Sequence, residues 1–120
     1  MLTIMSETVG DLAIVECAGL ITERDSANHL RAAVTSQCWA RTIVVDLSEV
    51  RVIATFGVDV LVLLQRWAHE KKINLKLFNP TGFVRDSLQR CGSFFAFEFP
   101  TLQEMMTILG NAQREQGLVA

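Results

Sequence analysis

Residues 42–58 read TIVVDLSEVRVIATFGV, and this stretch decides the fold. Its first part, residues 42–47, is apolar and β-branched without alternation, a pattern typical of a strand that is covered on both faces. From Thr55 onward the apolar run of residues 58–64 continues without a helix-breaking residue into residues 65–72, and the total length of about eighteen residues favours a helix. The sequence therefore predicts a central strand, a joining segment over residues 46–58 and a helix that begins near Thr55.

The segments upstream of this stretch predict a hairpin and a helix. Residues 2–8 and 12–17 are apolar runs separated by Gly10-Asp11, a pair that lets the chain reverse, so they indicate an antiparallel hairpin. A hydroxyl residue and an acid over residues 22–25 have the spacing of a helix cap, and apolar residues then recur at helical intervals. We therefore expect a first helix over about residues 25–36.

The segments downstream alternate in the same way. Residues 75–78 indicate a short strand, and Thr81 can cap a following helix that Gly92 ends. The last helix opens with the capping box Thr101 to Glu104 and carries one apolar stripe, which we expect to be buried. The stripe comprises Leu102, Met105, Met106 and Leu109.

Four phenylalanines precede the last helix, and we expect them to pack in the core. They are Phe94, Phe95, Phe97 and Phe99, of which the last three alternate as one more short strand or extended segment. The order of elements predicts an α/β domain with a mixed β-sheet of four to five strands packed with about four α-helices. We expect residues 1–120 to form a single domain, with a core over about residues 3–109 and a fraying tail over residues 110–120.

The composition bounds the class of function. Eleven Lys and Arg residues against thirteen Asp and Glu residues give a net charge of -2 and a pI near 5.6. No basic block is present, which argues against nucleic acid as a partner. The richest apolar run, residues 58–64, is interrupted by Asp59 and too short to cross a bilayer, so we expect no direct membrane insertion. No targeting segment is apparent at the N-terminus, and we expect a cytoplasmic protein.

The sequence lacks the patterns of catalytic and metal-binding sites. Cys17, Cys38 and Cys91 are spaced too widely to form a metal-binding pair, and we expect three buried thiols. His29 and His69 lie on the polar sides of predicted helices, where a lone histidine is usually solvated. No glycine-rich phosphate loop or nucleophile elbow is present. The sequence therefore predicts neither an enzyme nor a bound cofactor or metal.

Thr55 is the residue of most functional interest, because it falls at the predicted start of the buried helix. Free backbone amides and the positive end of the helix dipole can hold a phosphate there. Its hydroxyl can act as a phosphate acceptor or as the helix N-cap, and position alone favours the cap. Asp46 can neighbour a phosphate site or cap loop amides, and Phe56 can fill the core or anchor a partner.

Residues spread along the chain resemble the STAS domain family, and in particular its small free-standing anti-sigma factor antagonists. The resemblance covers about residues 3–109 and is carried by the order and spacing of several short motifs. These are Gly19-Leu20, Leu30-Arg31, the run from Val44 to Ser48, Ile53, Gly57, Cys91-Gly92, Phe97 and the run from Thr101 to Glu104. The resemblance implies the same mixed α/β fold.

In that family the loop before the helix typically reads Asp-Ser-x-Gly, and an anti-sigma kinase phosphorylates the hydroxyl residue. The resemblance places Ala54 at the aspartate, Thr55 at the phosphoacceptor and Gly57 at the glycine. Asp59 stands where small residues are usual, and it shares a helix face with Thr55. The implied partner-binding residues are Ala54, Thr55, Phe56, Gly57, Val58 and Asp59, with Asp46 and Ser48 supporting the loop.

The resemblance implies a regulatory phosphoprotein that binds a protein partner, an anti-sigma factor or serine/threonine kinase-like protein, and regulates transcription by partner switching. The departures at Ala54 and Asp59 leave an alternative open. In it the chain is a non-phosphorylated scaffold or accessory subunit of a signalling complex or membrane transporter. A sensor for a small ligand in an apolar pocket is a third interpretation, and a homodimer also stays open.

Overall fold

The computed structural model describes the backbone of residues 1–117 and the side chains of residues 1–114. In this part of the chain a four-stranded mixed sheet packs with four α-helices, which confirms the predicted α/β fold class. A single 3-10 turn, Phe94–Ala96, precedes the last helix. The elements run in the order β1 (Leu2–Val9), β2 (Leu12–Ile21), α1 (Arg24–Thr35), β3 (Thr42–Ile53), α2 (Thr55–Glu70), β4 (Asn74–Phe78), α3 (Gly82–Arg90) and α4 (Leu102–Gly117).

The strands lie in the order β1-β2-β3-β4, so the predicted central strand β3 is an inner strand. Strands β1 and β2 are antiparallel and form the predicted hairpin, in which Gly10 takes a φ of 57° that suits glycine. The pairs β2–β3 and β3–β4 are parallel, and α1 and α2 supply the connections that parallel pairing requires. Ile43, Val44 and Val45 are fully or almost fully buried, because both faces of β3 are covered there.

The sheet has a core on each face, and the two differ in size. The main core lies between the sheet and helices α1, α2 and α3 and includes Val15, Leu30, Val45, Leu61 and Leu88. The second core lies on the opposite face, which we call the outer face, and is covered by α4. Its buried members are Leu12, Val44, Met105 and Ala112.

Strand β3 is longer than the sequence indicated, and this corrects the predicted joining segment over residues 46–58. Its second half keeps pairing with β2, where Leu20 lies opposite Val52 and Ile21 lies opposite Ile53. Only Ala54 separates β3 from α2. The site at the end of β3 is therefore a tight strand-to-helix turn.

The C-terminal part differs from prediction in three places. Phe95 lies in the 3-10 turn with 95% of its surface exposed, while Phe97 is buried, and the predicted extra strand is reduced to one parallel bridge between Lys76 and Glu98. In α4 only one side of the predicted stripe faces the sheet, so Leu102 and Met106 are exposed. The predicted tail is helical up to Gly117, and residues 118–120 lie outside the described residues.

The predicted burial of the thiols is correct for one cysteine of three. Cys17 is buried on β2, whereas Cys38 and Cys91 are exposed at the ends of α1 and α3. Burial, and secondarily the charge of Asp46, raises the pKa of the Cys17 thiol to about 12. Both histidines are exposed on their helices, as the sequence indicated.

Candidate functional site

The candidate site lies at the edge of the sheet where the parallel strands β2, β3 and β4 end. Each of these strands is followed by a helix, so the N-termini of α1, α2 and α3 all begin at this edge. Such an edge is where open parallel sheets usually bind ligands, because helix N-termini contribute free amides and positive potential. The Ala54 N–H donates to the Ile21 carbonyl oxygen at 2.8 Å, which ties the start of α2 to the end of β2.

Thr55 is the first residue of α2, and its side chain is exposed. Ala54 occupies the N-cap position in an extended conformation, with φ of -82° and ψ of 165°, and its methyl group offers no hydrogen bond to the helix amides. Within residues 1–114 the Thr55 hydroxyl has no hydrogen-bond partner. The interpretation of Thr55 as the N-cap, which position alone favoured, is therefore wrong.

The missing cap leaves the first turn of α2 open. The Gly57 and Val58 N–H groups donate to the Ala54 carbonyl oxygen at 2.9 and 3.2 Å. The N–H groups of Thr55 and Phe56 precede the intrahelical ladder, so helix geometry gives them no partner in their own helix. An exposed hydroxyl thus stands beside free backbone donors at the positive end of a sixteen-residue helix.

Gly57 sets how closely this helix start approaches the sheet. A Cβ atom at this position would lie 2.7 Å from Ile53 Cγ1 and 2.9 Å from Ile21 Cγ2, closer than carbon atoms can pack. Both neighbours are β-branched and restricted at χ1, so they cannot easily turn away. The glycine therefore lets α2 begin directly against the ends of β2 and β3.

The six predicted partner-binding residues divide by exposure. Thr55 and Asp59 are exposed and lie one helical turn apart, so both can contact a partner. Ala54 and Phe56 are half-buried, and Phe56 also packs against the main core. Gly57 and Val58 are buried, and they shape this surface from beneath.

The exposed face of α2 extends beyond the predicted residues. Leu63 is 48% exposed, which is unusual for a leucine on a core helix, and Arg66 is exposed further along. Together with Thr55 and Asp59 these residues follow helical spacing, and we call the four of them the α2 stripe. Sequence reasoning missed Leu63 and Arg66, although counting turns onward from Thr55 could have found them.

Asp46 and Ser48 lie inside β3 and not in a loop before Thr55. Asp46 Oδ1 accepts hydrogen bonds from the backbone N–H and the hydroxyl of Ser48, at 2.9 and 2.6 Å. The two residues sit at a register shift in the β2–β3 pairing, where the Glu16–Asp46 pair is followed by Ala18–Glu49. A strand rises about 3.3 Å per residue, so Ser48 lies roughly 20 Å from Thr55 along β3. Asp46 therefore shapes the outer face of the sheet and is not adjacent to the Thr55 hydroxyl.

Other surface features lie outside the α2 stripe. Phe83 is 45% exposed on α3, and the centroid of its ring lies 5.9 Å from the Arg90 guanidinium carbon, as in a cation–π pair. A cleft of about 510 Å³ separates β4 from α4 and is bordered by Lys76, Glu98 and Glu104.

Residues 1–114 contain no group of three or more His, Cys, Asp and Glu side chains that could hold a metal. None of the helices in the described part of the chain has the length and apolar character needed to cross a membrane.

Comparisons with known proteins agree on the fold. The sequence profile of the STAS domain matches residues 3–105. The chain is similar to the anti-sigma factor antagonist SpoIIAA in its unphosphorylated form, with 17% identity and a TM-score of 0.74 over 91% of this chain and 97% of that chain. It is also similar to an anti-sigma factor antagonist from Mycobacterium paratuberculosis, with 20% identity and a TM-score of 0.76 over 91% of this chain and 94% of that chain.

A third similar structure is a sulfate transporter family protein from Wolinella succinogenes, with 17% identity and a TM-score of 0.71 over 88% of this chain and 91% of that chain. No curated protein sequence matches the chain significantly. At identities this low the structural likeness establishes the shared fold, and function has to be argued from the site.

Proposed function

The chain belongs to the STAS domain family, and from that premise we propose that it is a regulatory protein of the anti-sigma factor antagonist type. It binds a kinase-type anti-sigma partner through the α2 stripe and is switched by phosphorylation of Thr55. The observation that supports this most directly is the exposed Thr55 hydroxyl, which lies at a helix start without a side-chain cap and has no hydrogen-bond partner among the described side chains. A threonine hydroxyl that caps a helix must break its hydrogen bond to a helix amide before it can be phosphorylated. The Thr55 hydroxyl makes no such bond and is accessible for modification.

The electrostatics of the helix start tolerate a phosphate on the unbound protein. The phosphate adds about two negative charges. An anion at a helix N-terminus is stabilised by about 0.3–1 kcal/mol, whereas a like charge one turn away, at Asp59, destabilises by about 0.2–0.5 kcal/mol. These two effects are similar in size, so phosphorylation would leave the domain folded.

The same charge has a larger effect on a bound partner. A partner that packs on Thr55 and Leu63 must remove water from the start of α2. A phosphate at the edge of that interface would then lose its water or lack a counter-ion. The resulting loss of binding free energy is larger than the opposing effects of the helix N-terminus and Asp59 on the free protein. The half-buried Phe56 and exposed Leu63 supply apolar contact, while Asp59 and Arg66 offer charges of both signs to orient the partner.

The experiment compares four baits in lysate from the source cell, with bound proteins identified by mass spectrometry. The baits are the wild type, Thr55→Val, Thr55→Glu and the control Thr107→Ala. Thr55→Val keeps the β-branched shape without the hydroxyl, and Thr107 is an exposed threonine of α4 whose hydroxyl donates to the Gln103 carbonyl oxygen. We expect all baits except Thr55→Glu to capture the same kinase-like anti-sigma protein.

Addition of ATP to the captured complexes tests the modification itself. We expect intact-mass measurement to show one added phosphate on the wild type and on Thr107→Ala, and none on Thr55→Val. Release of the partner should accompany the modification. A phosphate on Thr55→Val, or an unmodified wild type in a complex with an active kinase, would contradict the assignment of Thr55 as acceptor.

A second candidate function is supported by Ala54 and Asp59. Neither matches the switch-loop pattern of the family, and Asp59 places a permanent negative charge one turn from Thr55. In this alternative the α2 stripe docks permanently in a larger assembly, such as a signalling complex or the cytoplasmic side of a membrane transporter. Equal recovery of one assembly by the wild type and Thr55→Glu would favour this scaffold role.

A further inference from the structure

Among residues 1–117, strand β1 forms one edge of the sheet and pairs with β2 on one side only. The Leu20 N–H donates to the Met1 carbonyl oxygen at 3.0 Å, and the β1–β2 register continues without interruption from Leu2–Gly19 to Val9–Leu12. Antiparallel strands alternate hydrogen-bonded and non-hydrogen-bonded pairs, so the odd-numbered residues of β1 bond to β2. The backbone N–H and C=O groups of Leu2, Ile4, Ser6 and Thr8 therefore point away from the sheet.

This free edge lacks the features that usually prevent strand pairing. The strand is eight residues long, contains no proline, lysine or arginine, and has no bulge in its pairing with β2. Natural edge strands are commonly shortened, bulged or marked by Lys or Pro, because an open edge invites another strand. The one charged residue, Glu7, projects from a face of the sheet and not along the edge.

We propose that two copies of this chain associate through their β1 edges, antiparallel to each other, so that one continuous sheet runs through both. A second copy is the partner that fits, because an antiparallel pair of identical strands is self-complementary about a two-fold axis. Each outward N–H then meets an outward C=O of the other copy.

The position of Glu7 disfavours an axis at Ser6 or Glu7, and an axis nearer the N-terminus than Met5 would pair fewer residues of the eight-residue strand. With the axis at Met5, Leu2 lies opposite Thr8 of the second copy, Ile4 lies opposite Ser6, and Glu7 lies opposite Thr3. The two Glu7 carboxylates are then about 14 Å apart, beyond the screening length of about 8–10 Å in ordinary salt. An axis at Ser6 would halve that separation, and an axis at Glu7 would place the two charges directly opposite each other.

The same register brings exposed apolar surface together. Met5 is 63% exposed on the outer face, next to Glu16 on β2. On the axis it would contact Met5 of the second copy as a non-hydrogen-bonded pair, whose Cα atoms lie about 4.5 Å apart. The start of α2 follows β3, two strands away from this edge, so pairing would leave the Thr55 site of both copies accessible.

Sedimentation of the wild type and of two variants at Ser6 tests the interface. Ser6→Pro removes an outward N–H and is compatible with an edge strand, since that N–H does not bond to β2. Ser6→Ala is the matched control that keeps the N–H. We expect the wild type and Ser6→Ala to sediment at twice the 13.4 kDa chain mass, and a folded Ser6→Pro to sediment at the single mass.

Cross-linking tests the register without relying on the proline variant. In a background with Cys38→Ser and Cys91→Ser, we expect Met5→Cys to form a disulfide between copies on mild oxidation. Thr3→Cys should not, because its two copies would be about 14 Å apart, too far for a disulfide. A wild type that stays at the single mass at hundreds of micromolar, or a dimeric Ser6→Pro, would overturn the β1 interface. Cross-linking through Thr3→Cys would overturn the register, and none of these results bears on Thr55.

Discussion

Replacement of Gly57 by alanine tests whether the start of α2 depends on its close approach to the sheet. Alanine is the better helix former, and in a helix interior the change gains about 1 kcal/mol. At Gly57, however, the new Cβ would lie 2.7 Å from Ile53 Cγ1 and 2.9 Å from Ile21 Cγ2. Whether the substitution stabilises or destabilises the domain therefore depends on which is larger, the gain in helix propensity or the cost of overpacking.

The geometry indicates that overpacking is larger. Insertion of a methyl group into a filled core costs about 1–3 kcal/mol. Both contacts are with atoms close to the backbone of β-branched residues, so relief requires α2 to move and not just a side chain. The Ala54 N–H bond to the Ile21 carbonyl oxygen and the buried Val58 oppose that movement. Subtracting the gain in helix propensity from this cost, we expect a net loss of up to about 2 kcal/mol in the free energy of unfolding.

Urea denaturation of Gly57→Ala beside Gly110→Ala measures the effect. Gly110 lies within α4, and a Cβ built there has no neighbour within 4 Å, so this control reports helix propensity without a clash. We expect Gly110→Ala to be as stable as the wild type or more stable by up to about 1 kcal/mol. A Gly57→Ala variant that gains stability in parallel with the control would refute the close-packing explanation.

Two further predictions concern groups with shifted pKa values. Burial raises the pKa of Cys17 to about 12, so a thiol reagent at pH 8 should label Cys38 and Cys91 in the folded protein and Cys17 only after denaturation. Rapid labelling of Cys17 in the folded protein would instead show that strand β2 opens. The backbone N–H and hydroxyl of Thr101 hold the pKa of Glu104 below its ordinary value. The stability from that carboxylate is therefore present above about pH 4.3 and lost as the pH falls through the lowered value. Glu104→Gln should be less stable than the wild type at pH 7 and equally stable near pH 2, whereas a difference independent of pH would contradict this cause.

The layout of elements was predictable because hydrophobic period is a strong signal. The apolar run after Thr55, which continues into residues 65–72 without a helix-breaking residue, identified α2 and its first residue, and the hairpin followed from Gly10-Asp11. The second half of β3 was missed because Ser48, Glu49 and Arg51 suggested a loop. Their alternation with Val50, which is buried, is the period-two pattern of a half-exposed strand and could have been used.

Caps and exposure were less predictable, since both depend on tertiary context. Thr55 and Thr22 have the right side chains for N-caps, but the N-cap positions fall one residue earlier at Ala54 and one residue later at Glu23. Thr81 does cap α3, where its hydroxyl accepts the Val84 N–H. The exposure of Phe95 was not predictable from the sequence pattern for the same reason. It lies in the 3-10 turn and is exposed, although Phe97 two residues later is buried.

Because the interior is divided into two cores, α4 can separate from the sheet at a lower free energy than the whole domain unfolds. Helix α4 is held through the small cluster of Leu12, Val44, Met105 and Ala112, which is separate from the main core. A unit held by few apolar contacts opens at a lower free energy than the whole domain. Amide hydrogen exchange should therefore be faster along α4 than along β3. Each such opening uncovers Leu12 and Val44 while the Thr55 edge stays in place, so one face of the sheet is accessible only intermittently.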